Sequence, residues 1–220
     1  MSTIILVPVK KHENAKSRLS KVLTNTERAM LARTMFDDVA AALINLNARV
    51  AVVTDSDETA QRARRLGWRT LRESRQISES VSVDAASAQL RREGVGAVLR
   101  LPADLPLVTA ADLEQILTDC PPAPFAVLVP SCDRMGTNAI LRKPPDLFPS
   151  RFGPNSFILH QQEAKRSQAA FRIVENYNIG LDIDNARDLR RFLDRSSETL
   201  TYHLLRKLGI KERLCETDSA

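Results

Sequence analysis

The chain has 220 residues, with 32 Lys plus Arg against 27 Asp plus Glu, a net charge of +5 and a hydrophobic content of 43%. This length fits one α/β domain or at most two small ones, and the positive charge suits an anionic ligand such as a nucleotide or a phosphorylated acid. Scattered basic residues and 5% aromatics offer no stacking platform for nucleic acid, and no stretch approaches the roughly 18 apolar residues of a membrane span. The three cysteines, Cys120, Cys132 and Cys215, lie far apart and form neither a CxxC pair nor a disulfide framework, which favours a reducing compartment. The apolar run at the start is short and runs straight into charge, so it is not a signal peptide. A cytoplasmic protein with no nucleic-acid or membrane partner is expected.

Thr3 to Val9 is a continuous apolar run and reads as a central strand, with Pro8 near its end because proline cannot donate to a ladder. A basic loop follows, Lys10 to Arg18. It contains no glycine, so it is neither a Walker loop nor GxGxxG. Phosphates would be met there by Lys10, Lys16, Arg18 and backbone N–H groups; a solvated charged loop is the alternative. Thr24 and Glu27 have capping-box spacing, and Leu31, Met35, Phe36, Val39, Leu43 and Leu46 recur as the core face of a long helix. Arg49 to Thr54 is a second strand. Asp55 to Asp57 is a turn and cap, and the helix after it ends at Leu66 with Gly67 beyond. Asp55 reads first as a cap, with a ligand role left open.

Trp68 to Leu71 reads as a short strand. Glu73 to Ser82 is polar and without period, and so reads as a loop that could face a ligand. A helix is expected from Ser82 to Arg92. Val98 to Leu101 is the next buried strand; it stops at Pro102, and Asp104 stands just past its carboxyl end, where open α/β sheets bind ligands. Asp104 is a candidate metal ligand, or else a turn residue bonded to its own backbone. Thr109 and Asp112 then start a helix. Phe125 to Pro130 and Thr137 to Leu141 read as strands joined by the loop Ser131 to Gly136.

Phe152 to Phe157 (FGPNSF) leads into a helix with Pro154 near its first turn. This places Ser156 and backbone N–H groups where an anion can bind; a simple helix cap is the alternative. Phe171 to Val174 is a strand. In Gly180 to Asp184, Asp182 and Asp184 flank Ile183, and in extended chain such residues share a face. Two neighbouring carboxylates repel unless a cation lies between them, which makes the pair, with Asp104, a candidate site for Mg²⁺. The alternative is that Asp184 helps to cap the helix that Asn185 starts. Residues 1–195 read as one domain and 196–220 as a helical extension and tail. An amphipathic piece through Leu208 could pack on the domain or on a second subunit of a homodimer, and Cys215 to Ala220 read as disordered. His12, His160 and His203 have no mutual metal spacing, and none is assigned a catalytic role; His160 is placed on a helix near the anion site.

Five strings occur in one order: PVK…AKSRL from Pro8, LPADLPL from Leu101, GTNAIL from Gly136, FGPNSF from Phe152 and LDIDNARDL from Leu181. Over Ile4 to Leu193 this pattern resembles the guanylyltransferases of deazaflavin coenzyme F-420 biosynthesis, which act on 2-phospho-L-lactate or phosphoenolpyruvate. The resemblance implies a Rossmann-like nucleotidyltransferase fold of the glycosyltransferase-A type, with a mostly parallel sheet. It implies transfer of GMP from GTP to a small phosphorylated carboxylic acid, with release of pyrophosphate. By matched position, Asp104, Asp182 and Asp184 would hold Mg²⁺, and Thr137, Gly153 and Ser156 would hold the acid. Lys16 and Arg18, with Lys10 beside them, would lie on the nucleotide, and Lys16, Arg18 and Asp104 would act in catalysis.

No Ser, Cys or His nucleophile is required, because the acid's own phosphate attacks. Two departures bear on substrate choice: ESRQISESVSVD (Glu73–Asp84) stands where a GLN-type motif is usual, and CDRMGTN (Cys132–Asn138) replaces DGTGTN. Phospholactate, phosphoenolpyruvate and 3-phosphoglycerate all stay open. A cytidylyl- or molybdopterin-type enzyme is the competing activity, against which stands the missing glycine-rich LxGGxSxRxG loop. A non-catalytic nucleotide-binding protein is the other competitor.

Overall fold

A computed structural model describes residues 2–10, 16–73 and 77–217. Residues 11–15 of the basic loop, which include His12, residues 74–76 of the polar segment and residues 218–220 of the tail lie outside these. The apolar runs become β1 (Thr3–Pro8), β2 (Val50–Thr54), β3 (Arg69–Arg72), β4 (Ala97–Arg100), β5 (Phe125–Pro130), β6 (Thr137–Lys143) and β7 (Ala170–Ile173). They pair in the order β3-β2-β1-β4-β6-β5-β7. β6 is antiparallel to both neighbours, β4 and β5, and every other pairing is parallel. The first five are separated by α1 (Asn25–Asn45), α2 (Asp57–Arg65), α3 (Glu79–Arg92) and α4 (Ala110–Leu117), and β6 follows β5 directly. α5 (Ser156–Arg166), α6 (Tyr177–Gly180), α7 (Ala186–Leu193), α8 (Leu200–Lys207) and α9 (Ile210–Thr217) complete the chain.

The unbroken apolar runs are explained by burial on both faces, as parallel sheets require. Ile5 and Val7 of β1 face a core that holds Phe36 and Val39 of α1, Ala63 of α2 and Leu113 of α4. Ile4 and Leu6, one residue out of phase, pack with Val83, Ala86 and Leu90 of α3. Phe157 and Ala164 of α5 cover Ala126, Leu128 and Ile140 further along the same sheet. Capping boxes at Thr24–Glu27 and Thr109–Asp112 start α1 and α4 as the spacing predicts.

Four boundaries differ from expectation. α3 begins at Glu79, not Ser82, with Ser78 as N-cap. Its first turns show no hydrophobic period because part of its inner face is polar: Ser80 Oγ accepts from Phe152 N, Asp84 accepts from Ser150 N and Arg142 Nη1, and Ser87 Oγ accepts from Arg142 Nη2. Pro154 lies before the helix, since the N-cap of α5 is Asn155 in left-handed conformation (φ 58°). The short α6, which delivers the chain to Asp182, is capped by Asn176 and has no long apolar period to announce it. Cys215, expected to be disordered, falls within α9.

The C-terminal piece packs on its own chain. Leu205, Ile210 and Leu214 join Leu31 and Met35 of α1 and Leu189 and Phe192 of α7 in one buried cluster. Asp38 of α1 accepts from the backbone N–H groups of Leu200 and Thr201, so a carboxylate meets the exposed donors at the start of α8. No helix among the described residues is long and apolar enough to cross a membrane.

Candidate active site

The carboxyl ends of β1, β2 and β4 open onto a cleft of about 970 Å³. It lies where the sheet reverses its winding about β1, the place at which open α/β sheets hold ligands. Every residue proposed from the sequence lines it: Lys10, Lys16, Arg18, Asp104, Thr137, Gly153, Ser156, Asp182 and Asp184.

Asp104, Asp182 and Asp184 converge from two loops, each offering one oxygen, with the three oxygens within 4.8 Å of one another. The cap of α7 leaves Asp184 free for this. Asn185 is the N-cap, Asp188 closes the capping box, and Asp184 gives only its backbone N–H, to Asp188 Oδ2. Asn138 Nδ2 donates to Asp182 Oδ1 and to the carbonyls of Ile179 and Gly180, and so fixes the segment that carries the pair.

Lys16 is drawn into this cluster. Its Nζ donates to Asp104 Oδ2 and to Asp184 Oδ1, each at 2.6 Å, and its side chain is only 9% exposed. Lys16 has left-handed backbone (φ 53°) and opens a short 3₁₀ turn, Ser17–Leu19, pinned by buried Leu19. Burial opposes the ammonium charge, but Asp104 and Asp184 outweigh it and raise the Lys16 pKa well above the ordinary lysine value. Burial likewise opposes the Asp104 charge, and Lys16 outweighs it and holds that carboxylate below its usual range. Asp182 accepts instead from Asn138, and burial and its neighbours Asp104 and Asp184 push it up to about 6.

Such a cluster has the donors a hard divalent cation takes. Two observations support the fit. A cationic nitrogen already sits between two of the carboxylates, and Asp104 Oδ1 is buried with no hydrogen-bond partner among the described residues. Arg18 and Lys10 are exposed on the cleft wall.

The other end of the cleft is built from hydroxyls. Thr137 N donates to Ser156 Oγ at 2.8 Å, and His160 Nδ1 lies 2.9 Å from Thr137 Oγ1. His160 Nε2 accepts from Arg151 N, so Nδ1 carries the proton and donates to Thr137. Both hydroxyl oxygens are thus engaged as acceptors, which leaves their O–H groups to donate to an anion. Gly153 adopts φ 123°, a conformation that side chains resist, while a Cβ there would meet no atom within 4 Å. The glycine therefore shapes the turn into α5 without being forced by crowding. Beneath lies Arg100, whose side chain is 7% exposed. It pairs with Glu79, donates to the carbonyls of Thr137 and Asn138, and lies over the Phe152 ring at 4.2 Å.

Asn138, Glu79, Arg100 and the positioning function of His160 were not visible in the sequence. Asn138 falls inside GTNAIL, which could have marked it; the others carry no local signal. His160 is buried, and burial followed by Arg142 and Arg100 lowers its pKa to about 3. A group that stays neutral in the fold but takes a proton when unfolded near pH 6.5 removes stability as pH falls through that window. Between pH 7 and pH 5 this one group should cost about 2 kcal/mol. Urea unfolding at both pH values should therefore show a smaller acid loss in His160→Gln than in wild type; equal losses would rule out His160 as the source.

The family described as CofC-like guanylyl transferase matches residues 3–220. The chain belongs to this family. The match runs through the tail, beyond the Leu193 limit of the sequence resemblance. A phosphoenolpyruvate guanylyltransferase of Rubrobacter xylanophilus is 41% identical over 196 residues, which span 87% of this chain and 93% of that protein. A 2-phospho-L-lactate guanylyltransferase of Methanothermobacter thermautotrophicus is 29% identical over 94% of this chain and 92% of its own length. A crystal structure from Desulfovibrio desulfuricans G20, described as a nucleotide-diphospho-sugar transferase, superposes with a TM-score of 0.81 at 21% identity. It covers 97% of this chain and 99% of that one, and shows the same Rossmann-like nucleotidyltransferase fold.

Proposed function

We propose that the protein transfers GMP from GTP to a small phosphorylated carboxylic acid in coenzyme F-420 biosynthesis, with Mg²⁺ as its metal, and that it works in the cytoplasm. The observation that carries this reading is the meeting, in one cleft, of the Asp104–Asp182–Asp184 cluster with the hydroxyls of Thr137 and Ser156. In the reaction a phosphate oxygen of the acid forms a bond to the α-phosphorus of GTP, the bond from that phosphorus to the β-phosphate oxygen breaks, and pyrophosphate leaves with the electron pair. The attacking oxygen is already anionic at neutral pH, so no general base is needed.

Mg²⁺ held by Asp104, Asp182 and Asp184 would supply charge neutralisation at the phosphates. The chain's own residues do the rest by positioning. Lys16, beside Asp104 and Asp184 on the cleft wall, would meet phosphate oxygens, and Arg18 and Lys10 extend positive charge along the cleft. Thr137 and Ser156 donate to the acid, while His160 holds the Thr137 hydroxyl and Arg100 the backbone that presents it.

The acceptor is read as one of phosphoenolpyruvate, 2-phospho-L-lactate and 3-phosphoglycerate, each of which pairs a phosphate with a carboxylate. Pyrophosphate release should require Mg²⁺, GTP and one of these acids together. Release with CTP or ATP in place of GTP would support a nucleotidyltransferase of another pathway. Failure with all three acids would remove the acceptor assignment.

A further inference from the structure

Three buried polar atoms on residues that line the cleft have no hydrogen-bond partner among the described residues: Asp104 Oδ1, Arg100 Nε and Asp55 Oδ1. Asp104 belongs to the carboxylate cluster, and the other nitrogens of Arg100 are taken by Glu79 and two carbonyls. Asp55 has no such account. A buried acceptor left unmet is uncommon in a folded protein and calls for an explanation.

Among the described residues, local structure does not employ its side chain. Ser56, not Asp55, caps α2 by accepting from Thr59 N, and Ser56 N donates to Thr54 Oγ1. Asp55 stands one residue past β2, beside the end of β1, where Val9 N donates to Val53 O, and beside the end of β3, where Glu73 N donates to Thr54 O. It therefore lies on the opposite side of β1 from Asp104, which follows β4. A nucleotide whose phosphates meet Asp104 and Lys16 would extend its base toward this side.

We propose that the Asp55 carboxylate reads the base of the nucleotide by accepting from two adjacent donors of guanine, N1–H and the N2 amine. A carboxylate offers two acceptors and no donor. Guanine is the common base whose pairing edge presents two neighbouring donors. Adenine and cytosine pair one donor with an acceptor, and uracil sets one donor between two acceptors. The inference rests on the GTP-dependent reading above and adds the residue that selects the base.

The test compares wild type with Asp55→Asn and Asp55→Ala, using pyrophosphate release with GTP, ITP and XTP at saturating acid. Melting curves show that the variants fold. ITP lacks the N2 amine, and XTP carries a carbonyl in its place, which an Asn amide N–H can meet. Wild type should prefer GTP to ITP, and Asp55→Asn should lose about a hundredfold in kcat/KM for GTP while gaining on XTP. Asp55→Ala should use GTP and ITP equally. Calorimetric binding of GDP and IDP, which needs no turnover, should follow the same order. Folded variants that keep the wild-type ratios of GTP, ITP and XTP would overturn the assignment of Asp55. A wild-type protein that uses GTP no better than ATP or CTP would overturn the guanylyl reading itself, and Asp55 would fall with it.

Discussion

Asp184→Asn is expected to lower Mg²⁺-dependent pyrophosphate release by about 10³-fold or more, the scale set by removing charge stabilisation at a transferring phosphoryl group. The fold should survive. The Asp184 side chain is 44% exposed, its one side-chain hydrogen bond among the described residues comes from Lys16, and the cap of α7 uses its backbone N–H rather than its carboxylate. A stability change within about 1 kcal/mol is expected, because the Asp184 carboxylate is open to water and Lys16 keeps its pairing with Asp104. The substitution also removes one of the charges that push up Asp182, which should offset part of the lost Lys16 contact. Near-normal turnover in a folded Asp184→Asn protein would remove the metal assignment.

The second large effect concerns Lys16, whose ammonium is paired with two of the three carboxylates, Asp104 and Asp184. Removing one partner from a largely buried ion pair leaves the others uncompensated and costs about 3 kcal/mol, or roughly 9 °C in Tm for a chain of this size. Lys16→Ala should therefore melt well below wild type when measured without metal. Adding Mg²⁺ should recover more in the variant than in wild type, because an ion entering the wild-type site must first displace the ammonium. Turnover should still fall by about 10²-fold, since the displaced lysine is the group placed to meet phosphate. An equal Mg²⁺-induced rise in Tm for both proteins would show that ion and ammonium do not share the carboxylates.

These expectations depend on contacts of unequal visibility in the chain. The strands were legible because a sheet covered by helices on both faces writes itself as unbroken apolar runs, as at Thr3–Pro8 and Phe125–Pro130. The helix starts at Thr24 and Thr109 were legible because capping is local, settled over three residues. The start of α3 was not. Ser80, Asp84 and Ser87 turn polar groups inward to the 142–152 region, and no periodicity of apolar residues can reveal such a face. That same face buttresses the loop carrying Gly153, since Ser80 holds the backbone of Phe152, and Glu73, Glu79 and Ser82 line the cleft.

The sequence by itself determined the order of the strands, the Asp104 carboxylate past β4, the Asp182–Asp184 pair and the family pattern, because each is written in a few consecutive residues. Only the tertiary structure decided how those residues are used. It placed the Lys16 ammonium between Asp104 and Asp184, across separations of 88 and 168 residues. It tied His160 to Thr137 and Asn138 to Asp182, and left Asp55 with a buried oxygen that no described residue meets. The physical reason is that burial and electrostatics depend on distance in space. A lysine in a basic loop reads as phosphate-binding from its neighbours in the chain, and becomes the partner of two carboxylates only when folding brings them to it.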